Sequence, residues 1–512
     1  MTLNESKGKK LSSSPFGDVY EGFPQNFYEV AQMPFAGAEQ AFMDLLERVI
    51  QRKASFKELS DFEGAGEEFS TAFREEVISI VEINSLLEKL PSNKVFSDLF
   101  NALVKCLNQI NFVSNKELFA GVVLQNSIGL KQFAFFLLDD SLEELMVNGM
   151  DNVFVFHKQY GMCKASMAID EKSFGVILQR VASSVGKKFD SKSPLLDARL
   201  PDGSRVNATF SDVSPRGISL TIRKFSPIPL TVIDLIESGT LNFELAAFLW
   251  AMVDGFDVSP ANILITGGTA TGKTTFLNVL ANFIRINNRI VSIEDTLELS
   301  LLDRKNWVPL EARSSVDEEV SMNDLLKNSL RMRPDRILVG EVRGNEALTM
   351  FIAMDTGHDG VMGTIHANDA REAIIRLQEP PMSVPQALLP LIDLIVVLGR
   401  HHSGSGGMQR NVLEVAEVSR MESRVLLANI FEWDKTANVV KKTDLPSGII
   451  EKMANSNAIS KNELKQEILM RQKILEWMFE KKIRKPEEVL EVIQDYYFQP
   501  NKVLSLVSKH FS

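Results

Sequence analysis

Eight residues, Gly267-Gly268-Thr269-Ala270-Thr271-Gly272-Lys273-Thr274, constrain this chain more than any other stretch. They fit the pattern G-x-x-x-x-G-K-[ST], continue into Thr275, and stand between the apolar run Ile263-Leu264-Ile265 and the helical run FLNVLANFI. A strand that turns on glycines into a helix can aim successive backbone N–H groups at phosphate oxygens, and the helix start adds the positive end of its dipole. In that setting Lys273 supplies a point charge to the β- and γ-phosphates, and the Thr274 hydroxyl is a Mg2+ ligand. A glycine-rich turn with no ligand is the plainer alternative, and the strand before and helix after weigh against it. Residues 267–275 therefore predict nucleotide binding, with ATP and Mg2+ as the cofactors.

From Pro260 onward, β-rich apolar runs (NILIT, RIVSIED, RILVGE) alternate with helical patterns. The fold class expected is α/β, a mostly parallel sheet covered by helices. Strand ends in such a sheet face the ligand crevice. RIVSIEDTLEL places Glu294, Asp295 and Glu298 at one such end, and RILVGEVRG places Glu341 at another. One carboxylate there can hold hydrated Mg2+ while another orients the attacking water. The usual metal-side acid follows four apolar residues, whereas here Gly340 precedes a lone Glu341. That leaves open which acid serves the metal and which the water. His366, in GVMGTIHANDA, is a candidate γ-phosphate sensor or relay if it lies within hydrogen-bond reach of the loop; a structural histidine is the alternative. Arginines cluster at Arg199, Arg205, Arg216 and Arg223, and again at Arg331, Arg333 and Arg336. A guanidinium can stabilise charge on a transferred phosphoryl group, although most such arginines form structural ion pairs.

Charge narrows the function classes. The 512 residues hold 56 Lys plus Arg against 67 Asp plus Glu, a net charge of -11. A protein that tracks nucleic acid draws much of its affinity from phosphate neutralisation and usually carries a basic excess, so the balance speaks against a nucleic-acid partner. Cys106 and Cys163 are too few for a disulfide framework or a cysteine zinc site and suit a reducing compartment. The opening MTLNESKGKKLSSSP lacks the apolar core of a signal peptide. The apolar stretch ALLPLIDLIVVLG is interrupted by Pro390 and Asp393 and is shorter than the roughly 20 residues that span a bilayer. A cytoplasmic protein, peripheral to the membrane, is expected.

At ~150 residues per domain the length suggests about three units. Residues 1–36 read as a loosely structured arm. AFMDLLERVIQRK, EEVISIVEINSLLEKL and FSDLFNALVKCLNQI carry helical spacing and predict a helical domain over 37–132. The β-like runs NVFVFHK and ISLTIRKF, with the turn signal LPDGSRVN, predict an α+β domain over 133–230. A linking helix is expected at 231–258, the nucleotide-binding domain at 259–425, and a charged helical region at 426–512.

Four of these segments, in this order, resemble the motifs of the type II/type IV secretion ATPase superfamily, which includes pilus and archaellum motors. GGTATGKTT resembles its Walker A motif, SIEDTLEL its Asp box, ILVGEVRG its atypical Walker B and GTIHAND its His box. LPDGSRVNATFSDVSPRGISLTIRKF resembles the arginine-bearing end of the family's second N-terminal domain. The missing tetracysteine zinc insert favours an archaeal-type member. The resemblance implies a PAS-like α+β lobe before a RecA-like lobe, six subunits in a ring, and ATP at the cleft between the lobes. It makes Lys273 and Thr274 the phosphate and Mg2+ residues and Glu298 the catalytic base. Glu341 would support metal or water, His366 would sense phosphate, and Arg216 and Arg223 would face the nucleotide. Implied partners are a homohexamer, a polytopic membrane platform protein, other machine subunits and anionic lipid, met through the helical block 37–129 and the tail.

Three functions compete. The first is a motor ATPase that powers protein export or assembly of a pilus- or archaellum-type filament. The second is a nucleic-acid translocase on the same core, which the net charge disfavours. The third is a nucleotide-gated scaffold, which the intact Glu298 and Glu341 disfavour.

Overall fold

The computed structural model describes residues 6–14, 17–23, 25–30, 38–50, 93–108, 113–128, 130, 133–167, 169, 171–200, 203–225, 229–301, 304–313, 319–402, 408–421 and 424–511. The chain divides into two compact units, Met1–Ser226 and Pro227–Ser512.

The first unit is built on an antiparallel meander of β4 (Leu142–Asn148), β5 (Val153–His157) and β6 (Gly161–Ala165). Strand β4 also pairs with β9 (Ser219–Arg223), which continues through β8 (Arg205–Thr209) to β7 (Leu195–Arg199). Alternate residues point to one face, as the strand period requires, and there Leu145, Val147, Val153, Val155, Leu220 and Ile222 pack with Phe174, Ile177 and Val181 of helix Glu171–Ser184.

The arm expected to be loose is not. Strands β1 (Ser6–Ser13), β2 (Gly17–Phe23) and β3 (Asn26–Val30) form a meander, and β3 runs parallel to β6, extending the sheet. Its anchor is Tyr28, fully buried, whose hydroxyl donates to Asp139 Oδ2 at 2.6 Å. Ser14 Oγ donates to the same oxygen at 2.8 Å. Of the helical block, the structure describes helices Ala38–Ile50, Asn93–Leu107 and Lys116–Ile128. Phe42 and Phe119 stack at 5.8 Å between the first and third of these. The pattern EEVISIVEINSLLEKL lies outside the described residues.

Among the described residues of the second unit nine strands form one sheet in the order β12-β11-β13-β14-β10-β15-β16-β17-β18, where β16 is Met408–Met421, β17 Arg424–Asp434 and β18 Val439–Lys442. The pairs β12–β11–β13–β14–β10–β15 are parallel and β15–β16–β17–β18 antiparallel. Here β10 is Ile263–Gly267, β11 Ile290–Glu294, β12 Trp307–Glu311, β13 Arg336–Val342, β14 Met362–Ile365 and β15 Leu394–His402. Strand β10 is buried throughout, with Ile263 and Ile265 in one core and Leu264 in another on the opposite face. That explains why NILIT reads as an unbroken apolar run rather than an alternating one.

Two boundaries differ from expectation. The segment expected to be a linking helix over 231–258 is part of the second unit: helices Val232–Glu237 and Phe243–Asp254 lie in its first core, with Leu245 through Val253 all buried. The region expected to be helical from 426 begins instead with β17 (Arg424–Asp434) and β18 (Val439–Lys442), the outer strands of the sheet. Four helices follow, Gly448–Ser456, Lys461–Glu480, Pro486–Phe498 and Pro500–Phe511. They place Ile449, Leu464, Ile474, Ile493 and Val503 in the same core as β10.

Candidate nucleotide site

Gly267 closes β10 where the chain must pass close to its neighbours: a Cβ there would meet Thr271 Oγ1 at 2.5 Å and the Leu398 carbonyl at 2.6 Å. The turn then uses positive φ at Ala270 (59°) and Gly272 (89°) before helix Lys273–Ala281 begins. Only a residue without a side chain takes such a conformation at little cost, which accounts for Gly272. Thr271 Oγ1 donates to the Gly268 carbonyl at 3.0 Å, and Arg410 Nε, from the antiparallel strand β16 (Met408–Met421), donates to the Ala270 carbonyl at 3.1 Å. Both bonds fix the loop from outside its backbone.

Lys273 is 8% exposed, and its ammonium donates to the carbonyls of Gly267 at 3.0 Å and Gly268 at 3.1 Å. The same nitrogen lies 3.5 Å from His366 Nδ1 and 3.4 Å from His366 Nε2. His366 follows the tip of β14, the parallel neighbour of β10. Its Nε2 is 3.3 Å from Glu341 Oε1, near the end of β13. Glu341 Oε2 accepts from Arg343 Nη2 at 2.5 Å, and Arg343 Nη1 reaches Asp295 Oδ2, just past β11, at 3.7 Å. Lys273, His366, Glu341, Arg343 and Asp295 thus form one chain of contacts along the carboxyl ends of the parallel strands. Partial burial, reinforced by the Lys273 charge, lowers the His366 pKa and favours the neutral ring. The Glu341 hydrogen bond raises that of Arg343. A cleft of ≈450 Å³ opens here, lined by Gly268, Glu341, Arg343, His366, Asn368 and Arg376 among others.

Gly340, the irregular residue before Glu341, has a steric cause. A Cβ there would stand 2.8 Å from Glu294 Cγ. Glu294 is buried, and its Oε2 accepts from the backbone N–H groups of Glu298 at 2.7 Å and Leu299 at 2.9 Å. Glu294 is therefore the fixture that holds the segment bearing Glu298, and position 340 must be small to admit it. The Gly340 carbonyl accepts from Thr364 Oγ1 at 2.6 Å.

Of the residues singled out from sequence, the second unit brings together Gly267, Gly268, Lys273, Glu341 and His366. Thr274 is half-buried in the first turn of the helix after the loop, with Thr269, Ala270 and Thr275 exposed beside it. Glu298 is half-buried and sits four residues beyond β11. Arg216 and Arg223 belong to the first unit; both are exposed, Arg216 before β9 and Arg223 at its end, 4.0 Å from Glu144. Sequence reasoning missed Arg343 and Arg410. Arg343 had a signal, since it stands two positions after Glu341, one residue past the end of β13, where the strand period would put the two on one face. Arg410 had none, because its reach to the loop depends on the register of β16 against β15.

The donor set suits a nucleotide with Mg2+. A glycine loop leads into a helix start, a buried ammonium lies against the loop, and the Thr274 hydroxyl, Glu341 and Glu298 are the oxygen donors nearby in sequence or space. Among the described residues, no group of three or more His, Cys, Asp or Glu side chains could hold a metal alone. None of the described helices is long and apolar enough to cross a membrane.

The family described as Type II/IV secretion system protein matches residues 131–405. The uncharacterized protein MJ0781 of Methanocaldococcus jannaschii is 54% identical over 231 residues, covering 44% of this chain and 32% of that protein. The uncharacterized protein MJ0900 of the same organism is 32% identical over 454 residues, 81% of each chain. The conjugal transfer protein TrbB of Rhizobium radiobacter is 33% identical over 300 residues, 57% of this chain and 89% of that one.

Proposed function

Because the chain belongs to the Type II/IV secretion system protein family, we propose that it is a Mg2+-dependent ATPase. Its hydrolysis would power protein export, or assembly of a pilus- or archaellum-type filament, through a polytopic membrane platform protein. The observation that carries this reading is the contact chain from Lys273 through His366 to Glu341 across the tips of β10, β14 and β13.

In this reading the loop amides and Lys273 hold the phosphates, and the Thr274 hydroxyl and the Glu341 carboxylate would support Mg2+. Bound Mg2+ supplies positive charge to the phosphate oxygens. Glu298 takes the proton of the attacking water, on a backbone held by Glu294. His366, kept neutral, can accept or donate at Nε2 as Lys273 turns from the loop carbonyls to a phosphate. As the family resemblance implies, Arg216 and Arg223 would be further donors to the γ-phosphate. The working form is a cytoplasmic homohexamer, peripheral to the membrane, where other machine subunits and anionic lipid are further contacts.

Two measurements test the proposal. Wild-type protein with Mg2+ should release phosphate from ATP, and Glu298→Gln should retain nucleotide while releasing little. A pull-down from membranes should recover a polytopic protein; recovery of nucleic acid instead would replace the motor with a translocase.

A further inference from the structure

The helix that carries Lys273 ends in an unusual way. It is nine residues long, Lys273–Ala281, and side chains from elsewhere in the unit meet the carbonyls at and just beyond its end, beside the tight-turn bonds from Ile284 N to Ala281 O and from Asn288 N to Arg285 O. Arg304 Nη1 donates to Arg285 O at 2.6 Å, and its Nη2 donates to Ala281 O at 3.4 Å, Asn282 O at 3.5 Å and Ile284 O. Burial brings the Arg304 pKa down to about 10, still a cation at neutral pH, the sign a helix C-terminus favours.

The other partners come from far along the chain. Gln494, on helix Pro486–Phe498, donates from Nε2 to Ile284 O at 3.0 Å and Asn282 O at 3.4 Å, and its Oε1 accepts from Ile286 N at 2.8 Å. Tyr497, on the same helix, donates to Phe283 O at 2.6 Å and accepts from Trp250 Nε1 at 2.6 Å. Trp250 stacks on Phe283 at 5.5 Å with planes 7° apart. Below them, buried Asp254 accepts from Arg285 Nε and from Arg471 Nη2 on helix Lys461–Glu480, each at 2.8 Å. Gln494, Tyr497 and Arg471 all lie beyond the 131–405 matched by the family.

We infer that Gln494 and Tyr497 are positioning residues for nucleotide binding: they seat the far end of the phosphate-loop helix, so the C-terminal helices and the nucleotide are energetically coupled through it. A nine-residue helix is about 13 Å long and stiff. A shift of its C-terminal end therefore moves the Lys273 amide and side chain at the other end. Loss of the Tyr497 hydroxyl takes a donor from buried Phe283 O, and loss of the Gln494 amide takes an acceptor from Ile286 N; each carries a desolvation cost, so the end cannot drift freely while the two residues hold it. Coupling of this kind is reciprocal: nucleotide must steady residues 486–498 by as much as those residues steady the nucleotide. The inference rests on the nucleotide-binding reading above.

The test is ADP binding with Mg2+, by calorimetry, on the full chain. The variants are Tyr497→Phe, which keeps the ring and removes only the hydroxyl, and Gln494→Leu, which keeps the size. Asp495→Ala, which removes only an exposed pair with Lys502, is the control. Roughly fivefold or greater weakening in the first two and none in the third is expected. Hydrogen exchange on wild-type protein should show residues 486–498 slowed by ADP. Lowered melting temperature with unchanged ADP affinity, or exchange at 486–498 indifferent to ADP, would overturn the coupling and leave Gln494 and Tyr497 as structural residues. A wild-type chain that binds no ADP at all would overturn the nucleotide reading itself, and this inference with it.

Discussion

His366 Nε2 stands 3.3 Å from Glu341 Oε1 while the Lys273 ammonium lies 3.4 Å from that same nitrogen. One imidazole therefore touches both the cation of the phosphate loop and the carboxylate at the tip of a neighbouring strand. A protonated ring would gain from the acid and lose against the ammonium, and burial adds to the loss.

The expected consequence is a His366 pKa below the ordinary value of about 6.5. A histidine with a depressed folded pKa contributes stability that is present above its unfolded pKa and lost as pH falls through the folded one. Wild-type protein should therefore lose stability relative to His366→Asn as pH is lowered from 7.5 to 5. Denaturation midpoints across that range check it, and an NMR titration of His366 should move upward in Lys273→Ala.

Arg343 joins Glu341 to Asp295, and its removal should affect turnover more than folding. The side chain is 63% exposed, so the pair with Glu341 is worth at most about 1 kcal/mol of stability. Arg343→Gln should melt within a few degrees of wild type yet release phosphate about tenfold more slowly or worse, as Glu341 keeps only its His366 contact and loses part of its fixed direction. Steady-state rates beside thermal melts separate the two effects.

Gly340→Ala places a Cβ 2.8 Å from Glu294 Cγ. Overpacking of this sort costs about 1–3 kcal/mol. Glu294 would shift and loosen its hold on the Glu298 and Leu299 amides. Both denaturation midpoint and phosphate release should fall, and Glu294→Ala in the same chain should recover part of the stability by making room.

Much of this arrangement could be read from the residues in order. The runs NILIT, RIVSIED and RILVGE became β10, β11 and β13 because strands buried on both faces advertise themselves as apolar blocks. The runs NVFVFHK and ISLTIRKF became β5 and β9. SKGKKLSS could not be read as β1, since it carries a single apolar residue and its strand state comes from pairing with β2 at the edge of the sheet. RVLLANIFEWD was overlooked as β17 because its apolar residues also fit a helix face. Within the site, the loop and Glu341 lie in contiguous motifs, whereas the Arg410 contact and the Gln494 and Tyr497 contacts join positions 140 or more residues apart.

Buried Asp254 and Arg471, paired at 2.8 Å with side chains 0% and 2% exposed, offer a check on how the C-terminal helices are held. Burial works against the Arg471 charge, but Asp254, Tyr497 and Glu467 together outweigh it and the guanidinium pKa is raised. Arg471→Met leaves Asp254 buried with one cation fewer and should cost about 3–5 kcal/mol. Adding Asp254→Leu should return a good part of that loss. Urea denaturation of the single and double variants measures both.

The central claim is that the loop at 267–275 and the acids at the strand tips make an ATP-hydrolysing site, and phosphate release from ATP in the presence of Mg2+ tests it most directly. Wild-type protein should release phosphate over many turnovers, and Lys273→Ala and Glu341→Gln should each lower the rate about a hundredfold or more. Equal rates in wild type and both variants, or no release by wild type with membranes and partner supplied, would contradict the account.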